Sequence, residues 1–191
     1  MGTKERLEEA GEFLKKLASD AVFCNSLQVA ASLMSSTFGG GNKVLIFGNG
    51  GSAGHAQHLS AELVGRFEKT RRALPAIALT TDTSILTAQA NDAGYHTIFS
   101  RQIEALCRPG DVAIAITTSD SYGQHSANIV HGLEAAKEAG AQTIGLFSQK
   151  TKALLRFTDV PIIVPHTDTS LIQLVHQHIV HELCELIEEK L

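Results

Sequence analysis

His58, Glu62 and Arg66 are spaced four apart in the stretch KVLIFGNGGSAGHAQHLSAELVGR, residues 43–66. On a helix that spacing lines up an imidazole, a carboxylate and a guanidinium along one face, a turn apart. Just before them an apolar run enters Gly48-Asn49-Gly50-Gly51-Ser52. Glycines let backbone N–H groups face a ligand without side chains in the way, and a helix start adds partial positive charge, so a phosphate is the natural guest. An imidazole, a base and a cation thus lead away along one line from an anion site.

A second loop, Thr117-Thr118-Ser119-Asp120-Ser121-Tyr122-Gly123-Gln124-His125-Ser126, is rich in hydroxyls and opens another helix. Hydroxyls with backbone N–H groups suit a phosphate monoester where no lysine is provided, and two such loops could grip one phosphate from two sides. The alternative is that they only cap a helix and make a turn. The last helical stretch carries Gln173, His176, Gln177, His178 and His181. At ~100° per residue, Gln173, Gln177 and His181 share an arc of roughly 80°, and His178 points elsewhere. A lone helix histidine is more often a surface or core residue. Several imidazoles and amides on one stripe, with a His/Glu pair elsewhere in the chain, favour a site.

Two other nucleotide-type readings are weaker. Gly48, Gly50 and Ala53 fit G-x-G-x-x-A, and Asp82 stands where a ribose-binding acid would be sought, but that motif alone is unspecific. No Gly-Lys-Ser/Thr follows, so a P-loop is excluded, and no nucleotide cofactor is expected.

The elements that must position these groups are legible as alternating patterns. Apolar, β-branched-rich runs at Val44 to Phe47, Ala76 to Leu79, Val112 to Ile116, Thr143 to Phe147 and Val160 to Val164 predict strands covered on both faces. Helices are predicted at 53–67, 83–91, 95–107, 126–139 and from about 170 to 190. The fold class is therefore α/β, a five-stranded parallel sheet with helices on both faces. An N-terminal helical pair in residues 3–38, ended by Gly39-Gly40-Gly41, precedes it and needs a further surface to cover, such as a partner subunit. In such a sheet, ligands sit beyond the carboxyl ends of the strands.

Bulk properties narrow the classes. The chain has 191 residues, 43% hydrophobic and 19% charged, which suits one soluble globular domain spanning 1–191. A net charge of −4 with no basic run gives no reason to expect a nucleic-acid partner. Cys24, Cys107 and Cys184 fit neither a disulfide framework nor a thiolate zinc site. The charged N-terminus and the absence of a ~20-residue apolar run point to a cytoplasmic protein with no membrane partner.

GNGGS at 48–52, AQHLSAELVGRF at 56–67, LPAIALTTD at 74–82, AND at 90–92, PGDV at 109–112, and Gln173 with His181 eight residues on together resemble the sugar isomerase (SIS) domain family. The resemblance covers nearly the whole chain, and within the family it is to the isomerases of sedoheptulose 7-phosphate. It implies a flavodoxin-like SIS sandwich and an aldose–ketose isomerase producing a mannoheptose 7-phosphate for bacterial surface heptose. Glu62 would be the base that moves a proton through an enediol, and His181 the complementary acid or base, often reaching in from a neighbouring subunit. Asn49, Gly50, Gly51, Ser52, Thr117, Thr118, Ser119 and Ser126 would hold the phosphate end. Arg66, Asn91, Asp92 and Gln173 would lie near the sugar. His58, Glu62, Gln173 and His181 match positions that bind zinc in some relatives. The expected partners are a phosphorylated seven-carbon sugar and further copies of the chain, as a tetramer.

Two departures stand out. The family's compact Thr-Ser-Gly-Asn-Ser loop is altered here by Asp120 in place of glycine and by Ser121 to Gln124 inserted before His125-Ser126, and Ser170-Leu171 stand where relatives often place an acid and an arginine. A carboxylate beside a phosphate is unfavourable unless it turns outward or is neutralised. Other readings of the same residues are a non-catalytic relative that binds a protein such as a replication initiator, or an isomerase of another phosphosugar.

Overall fold

Five short apolar runs pair side by side and in parallel. In the computed structural model, which describes residues 2–119 and 126–191, β1 is Val44–Gly48, β2 Ala76–Ala78, β3 Val112–Ile116, β4 Gln142–Ser148 and β5 Val160–Val164, in the order β2-β1-β3-β4-β5. Every residue of β1 and β3 is buried. Alternate side chains face opposite ways from a strand, so Val44 and Ile46 join one core while Leu45 and Phe47 join the other. This is why the runs are continuous rather than alternating.

The first core lies under α1 (Thr3–Ala18), α2 (Ala21–Gly39), α3 (Gly51–Val64) and α7 (Thr169–Glu188). The second lies under α5 (Ser100–Leu106) and α6 (Ala127–Glu138), with α4 (Thr83–Asp92) more exposed beside them. Helix starts follow short polar acceptors: Asp20 accepts from the Val22 and Phe23 N–H groups, and Asp168 from those of Ser170 and Leu171. Asp82 does the same for Ile85, so it is a helix cap and the dinucleotide reading loses its ribose acid. Among the described residues, no helix is long and apolar enough to cross a membrane.

Three features differ from the sequence expectation. α3 ends at Val64, and Gly65 departs from helical geometry, so Arg66 stands beyond the helix rather than on the His58–Glu62 stripe. The expected helix at 95–107 is broken into a 3-10 turn, Tyr95–Thr97, and α5, after Gly94 at a φ of 105°. The N-terminal pair is also less detached than expected. α2 buries Phe23, Leu27, Ala30, Ala31, Met34 and Phe38 in the sheet's own first core, whereas α1 buries only Leu17.

The sheet order reverses between β1 and β3, which places the loops after these neighbouring strands at the crevice where open α/β sheets take ligands. Asp111, in the PGDV turn, fixes the opposite end of that strand pair: it accepts from the Lys43 backbone and ammonium and from Arg108 N–H. On the second face α6 closes on β1 because residue 132 is glycine. A Cβ there would sit 2.7 Å from the Phe47 ring. Gly132→Ala is expected to lower stability by about 1–3 kcal/mol, read by urea unfolding, and Phe47→Leu in the same chain should recover part of the loss.

Candidate active site

Both loops at the reversal are shaped by backbone constraints. A Cβ on Gly48 would meet the Ile116 carbonyl at 2.7 Å, and Gly50 has a φ of 53°, which side chains rarely allow. Ser52 and Ala53 N–H groups close onto the Asn49 and Gly50 carbonyls, starting α3. The Gly50 and Gly51 N–H groups stay without a partner among the described residues. Opposite them, Thr117 and Thr118 are buried and Ser119 is exposed. The carbonyls of Thr118 and Ser119 are held by the Ser148 and Thr151 hydroxyls. Ser126 caps α6 at a φ of 67°, a strained setting for a residue with a side chain. Two helix starts therefore open toward the same crevice. Asp120, the Ser121 to Gln124 insertion and His125 lie outside the described residues.

Further along α3, four side chains from α3 and α7 meet. His58 Nε2 lies 2.9 Å from Glu62 Oε1, and His58 Nδ1 lies 2.9 Å from Gln177 Nε2. The same Gln177 nitrogen is 3.2 Å from His181 Nε2. The Gln177 carbonyl oxygen also lies 3.2 Å from His58 Nδ1; because an amide NH2 has two hydrogens, the one side chain can reach both rings. His58, Glu62 and His181 offer nitrogen and oxygen atoms within 4.8 Å of one another, the one such metal-competent group among the described residues. The meeting occurs within a single chain.

Gln173 is placed elsewhere on the stripe. Its amide packs so closely on Gly51 that a Cβ there would be 2.5 Å from Nε2, which brings α7 to the first loop. The amide that bonds the imidazoles is Gln177, which shares the predicted arc but stands outside the expected ligand set. Asn91 and Asp92 are exposed at the end of α4 and bond each other at 2.8 Å. Arg66 is exposed on the loop after α3.

That loop is held by a residue with no warning in the sequence. Glu188, 4% exposed, accepts from the Phe67, Glu68 and Lys69 N–H groups and from Arg71 Nε at 3.0 Å. Arg71 in turn donates to the carbonyls of Glu62 and Leu63. The network lays the Phe67 ring on His181, centroids 5.3 Å apart and 24° from parallel. Burial alone would raise the Glu188 pKa. The Lys69, Phe67 and Glu68 N–H groups and the Arg71 charge outweigh it and hold the carboxyl below the usual range.

His176 is fully buried, with no hydrogen-bond partner on either ring nitrogen among the described residues. Burial pushes it down to about 4, against a weaker opposing pull from the Phe147 backbone. His55, edge-on to it at 6.2 Å, is lowered by burial and then by His58. A cavity of about 520 Å³ opens on another side of α7, among Leu14, Phe23, Leu27 and Val175, away from these groups.

The SIS domain family model matches residues 8–148. A phosphoheptose isomerase of Aquifex aeolicus is 51% identical over 174 residues, 91% of this chain and 89% of that protein. Another, from Synechocystis sp., is 44% identical over 187 residues, 98% and 94% of the two chains. The solved structure of a phosphoheptose isomerase from Francisella tularensis superposes with a TM-score of 0.90 at 34% identity, covering 99% of this chain and 100% of that one.

Removing Glu188 as Glu188→Ala strands the buried Arg71 side chain and frees three backbone N–H groups, and should cost about 3–5 kcal/mol of stability in urea unfolding. The pH dependence divides into two windows. A lowered carboxyl stabilises above its unfolded pKa, so the Glu188 contribution is lost only as pH falls below its ordinary value of 4.5. A lowered imidazole stabilises fully above 6.5, and for His176 that is lost as pH falls from 6.5 to about 4. His176→Leu should flatten the thermal midpoint between pH 6.5 and 4, apart from the smaller His55 share, and leave the more acid limb in place.

Proposed function

The chain belongs to the SIS domain family, and we propose that it is an aldose–ketose isomerase converting sedoheptulose 7-phosphate to D-glycero-D-manno-heptose 7-phosphate in bacterial heptose biosynthesis. The observation that carries this is the meeting of Glu62 and His58, on the helix that begins at the glycine loop, with His181 of α7. Identity of 51% to a phosphoheptose isomerase over nine-tenths of the chain supports the substrate.

A hydrogen on carbon next to a carbonyl is a weak acid, so the reaction needs a placed base and a proton source at the oxygens. Glu62 removes the C1 proton of the ketose. The C1–C2 double bond forms, and the carbonyl pair moves to O2, which takes a proton from His181. In the second half His181 removes the O1 proton, the C1 carbonyl forms, and Glu62 returns its proton to C2. His58 holds the Glu62 carboxylate at 2.9 Å, and Gln177 keeps both rings oriented. The open N–H groups of Gly50 and Gly51 with Ser52, and Thr117, Thr118, Ser119 and Ser126 across the crevice, would take the phosphate. Arg66, Asn91, Asp92 and Gln173 would contact the sugar.

Two imidazoles and a carboxylate fit zinc, with donor atoms already within 4.8 Å. His58, Glu62 and His181 would hold it, Gln173 being the fourth member the family likeness suggests, and it would supply polarisation of the sugar carbonyl. A Glu62 so engaged is a poorer base, so the two roles compete. Assembly as a tetramer, with Val22 (80% exposed) and Leu7 (69% exposed) on its covered surface, and a cytoplasmic location complete the proposal.

A coupled assay with sedoheptulose 7-phosphate tests this. Glu62→Gln should lower kcat by about 10²–10⁴ and His181→Gln by about 10² or more, both with unchanged circular dichroism. Wild-type rates in a folded Glu62→Gln protein would refute the assigned base. Metal analysis with chelation and zinc readdition decides the zinc role: loss and recovery of activity supports it, and full activity in the metal-free protein removes it.

A further inference from the structure

The two loops at the crevice are fastened to each other by one side-chain pair. Asn49 Nδ2 donates to Asn128 Oδ1 at 2.9 Å, and Asn128 Nδ2 donates back to Asn49 Oδ1 at 2.8 Å. Tyr95 Oη adds a third contact, to the same Asn49 oxygen, at 3.2 Å. Asn128 is 1% exposed, and both of its polar side-chain atoms are engaged by Asn49. Burial at this depth leaves Asn49 as its link to the crevice. Asn49 is only partly buried, it keeps one hydrogen on Nδ2, and its carbonyl accepts the Ser52 N–H that starts α3.

From this we infer that Asn128 is a positioning residue for anion binding, setting the first turn of α6 against the entry to α3 by way of Asn49. The inference deepens the isomerase reading, on which its link to the sugar phosphate rests. A buried amide locked against a half-buried one is a costly way to fill space, because the buried member must be fully paired merely to break even with water. What the pair gives in return is a fixed distance and angle between two helix starts. Each start presents unengaged N–H groups among the described residues, and an anion shared between them is held well only if they keep station. The left-handed Ser126, two residues before Asn128, shows that the chain tolerates strain to keep this turn in place.

The test compares Asn128→Leu, which keeps the volume without the hydrogen bonds, with Asn49→Ala and the double variant. Inorganic phosphate binding by calorimetry and steady-state kinetics with sedoheptulose 7-phosphate are the readouts. In Asn128→Leu, phosphate should bind about tenfold more weakly and KM should rise by a similar factor, with kcat within about threefold, as expected for the loss of one or two hydrogen bonds. The double variant should bind phosphate no worse than Asn49→Ala alone, since Asn128 acts through Asn49. A folded Asn128→Leu protein with unchanged phosphate affinity, or additive losses in the double variant, overturns the inference. Phosphate binding that depends on Asn128 in a chain without turnover would refute the isomerase and leave this role standing. Turnover with phosphate binding indifferent to Asn128 would do the reverse.

Discussion

A single buried carboxylate holds the two site helices in register. Glu188, near the end of α7, collects three backbone N–H groups and the Arg71 guanidinium, and Arg71 reaches on to the Glu62 and Leu63 carbonyls at the end of α3. A charge so deeply placed is tolerable only because every lone pair has a donor. The geometry follows from that satisfaction: α3 and α7 are tied at their C-terminal ends, and Gln173 against Gly51 closes the contact near the glycine loop. Between the two ties the facing stripes meet as imidazoles, amides and a carboxylate.

The sheet supplies the rest of the frame. Its order reverses between β1 and β3, so the loops leaving these strands diverge to opposite layers, α3 on one face and α6 on the other. The crevice between them is a consequence of topology. Its width is set more locally, by glycine at 48, where the Ile116 carbonyl comes too close for a side chain, and by the Asn49–Asn128 pair above it. The loop end is thus fixed by backbone shape together with one amide pair, and the other end by side-chain hydrogen bonding around Glu188.

What the sequence made legible was local. Continuous apolar runs located all five strands, because a strand buried on both faces has no reason to alternate. The His58–Glu62 pairing was visible for the same kind of reason, since i to i+4 spacing on a helix is contact. The failures came where a distant residue decides. Arg66 was expected on the helical stripe, yet the chain leaves the helix at Gly65 so that residues 67–69 can reach Glu188, more than a hundred residues away in sequence. Gln177 was on the right arc but passed over for Gln173, because which amide falls between the rings depends on how closely α7 approaches α3. Asn128 gave no signal, as its partner lies 79 positions earlier.

The glycine loop and Glu62 are joined by one rigid element. Gly51 and Glu62 stand eleven residues apart on α3, roughly 16 Å of helix rise, and side chains on a helix lean back toward its start, so the carboxylate sits somewhat nearer the loop than its backbone does. In the proposed isomerase α3 would act as a ruler, gauging substrates by the length between phosphate and reacting carbon. Its graduations are coarse: one residue more or less swings the carboxylate by about 100°, whereas a whole turn preserves its direction and moves it by about 5.4 Å. Fine adjustment to sugars differing by one carbon would then come from the loops at the zero mark.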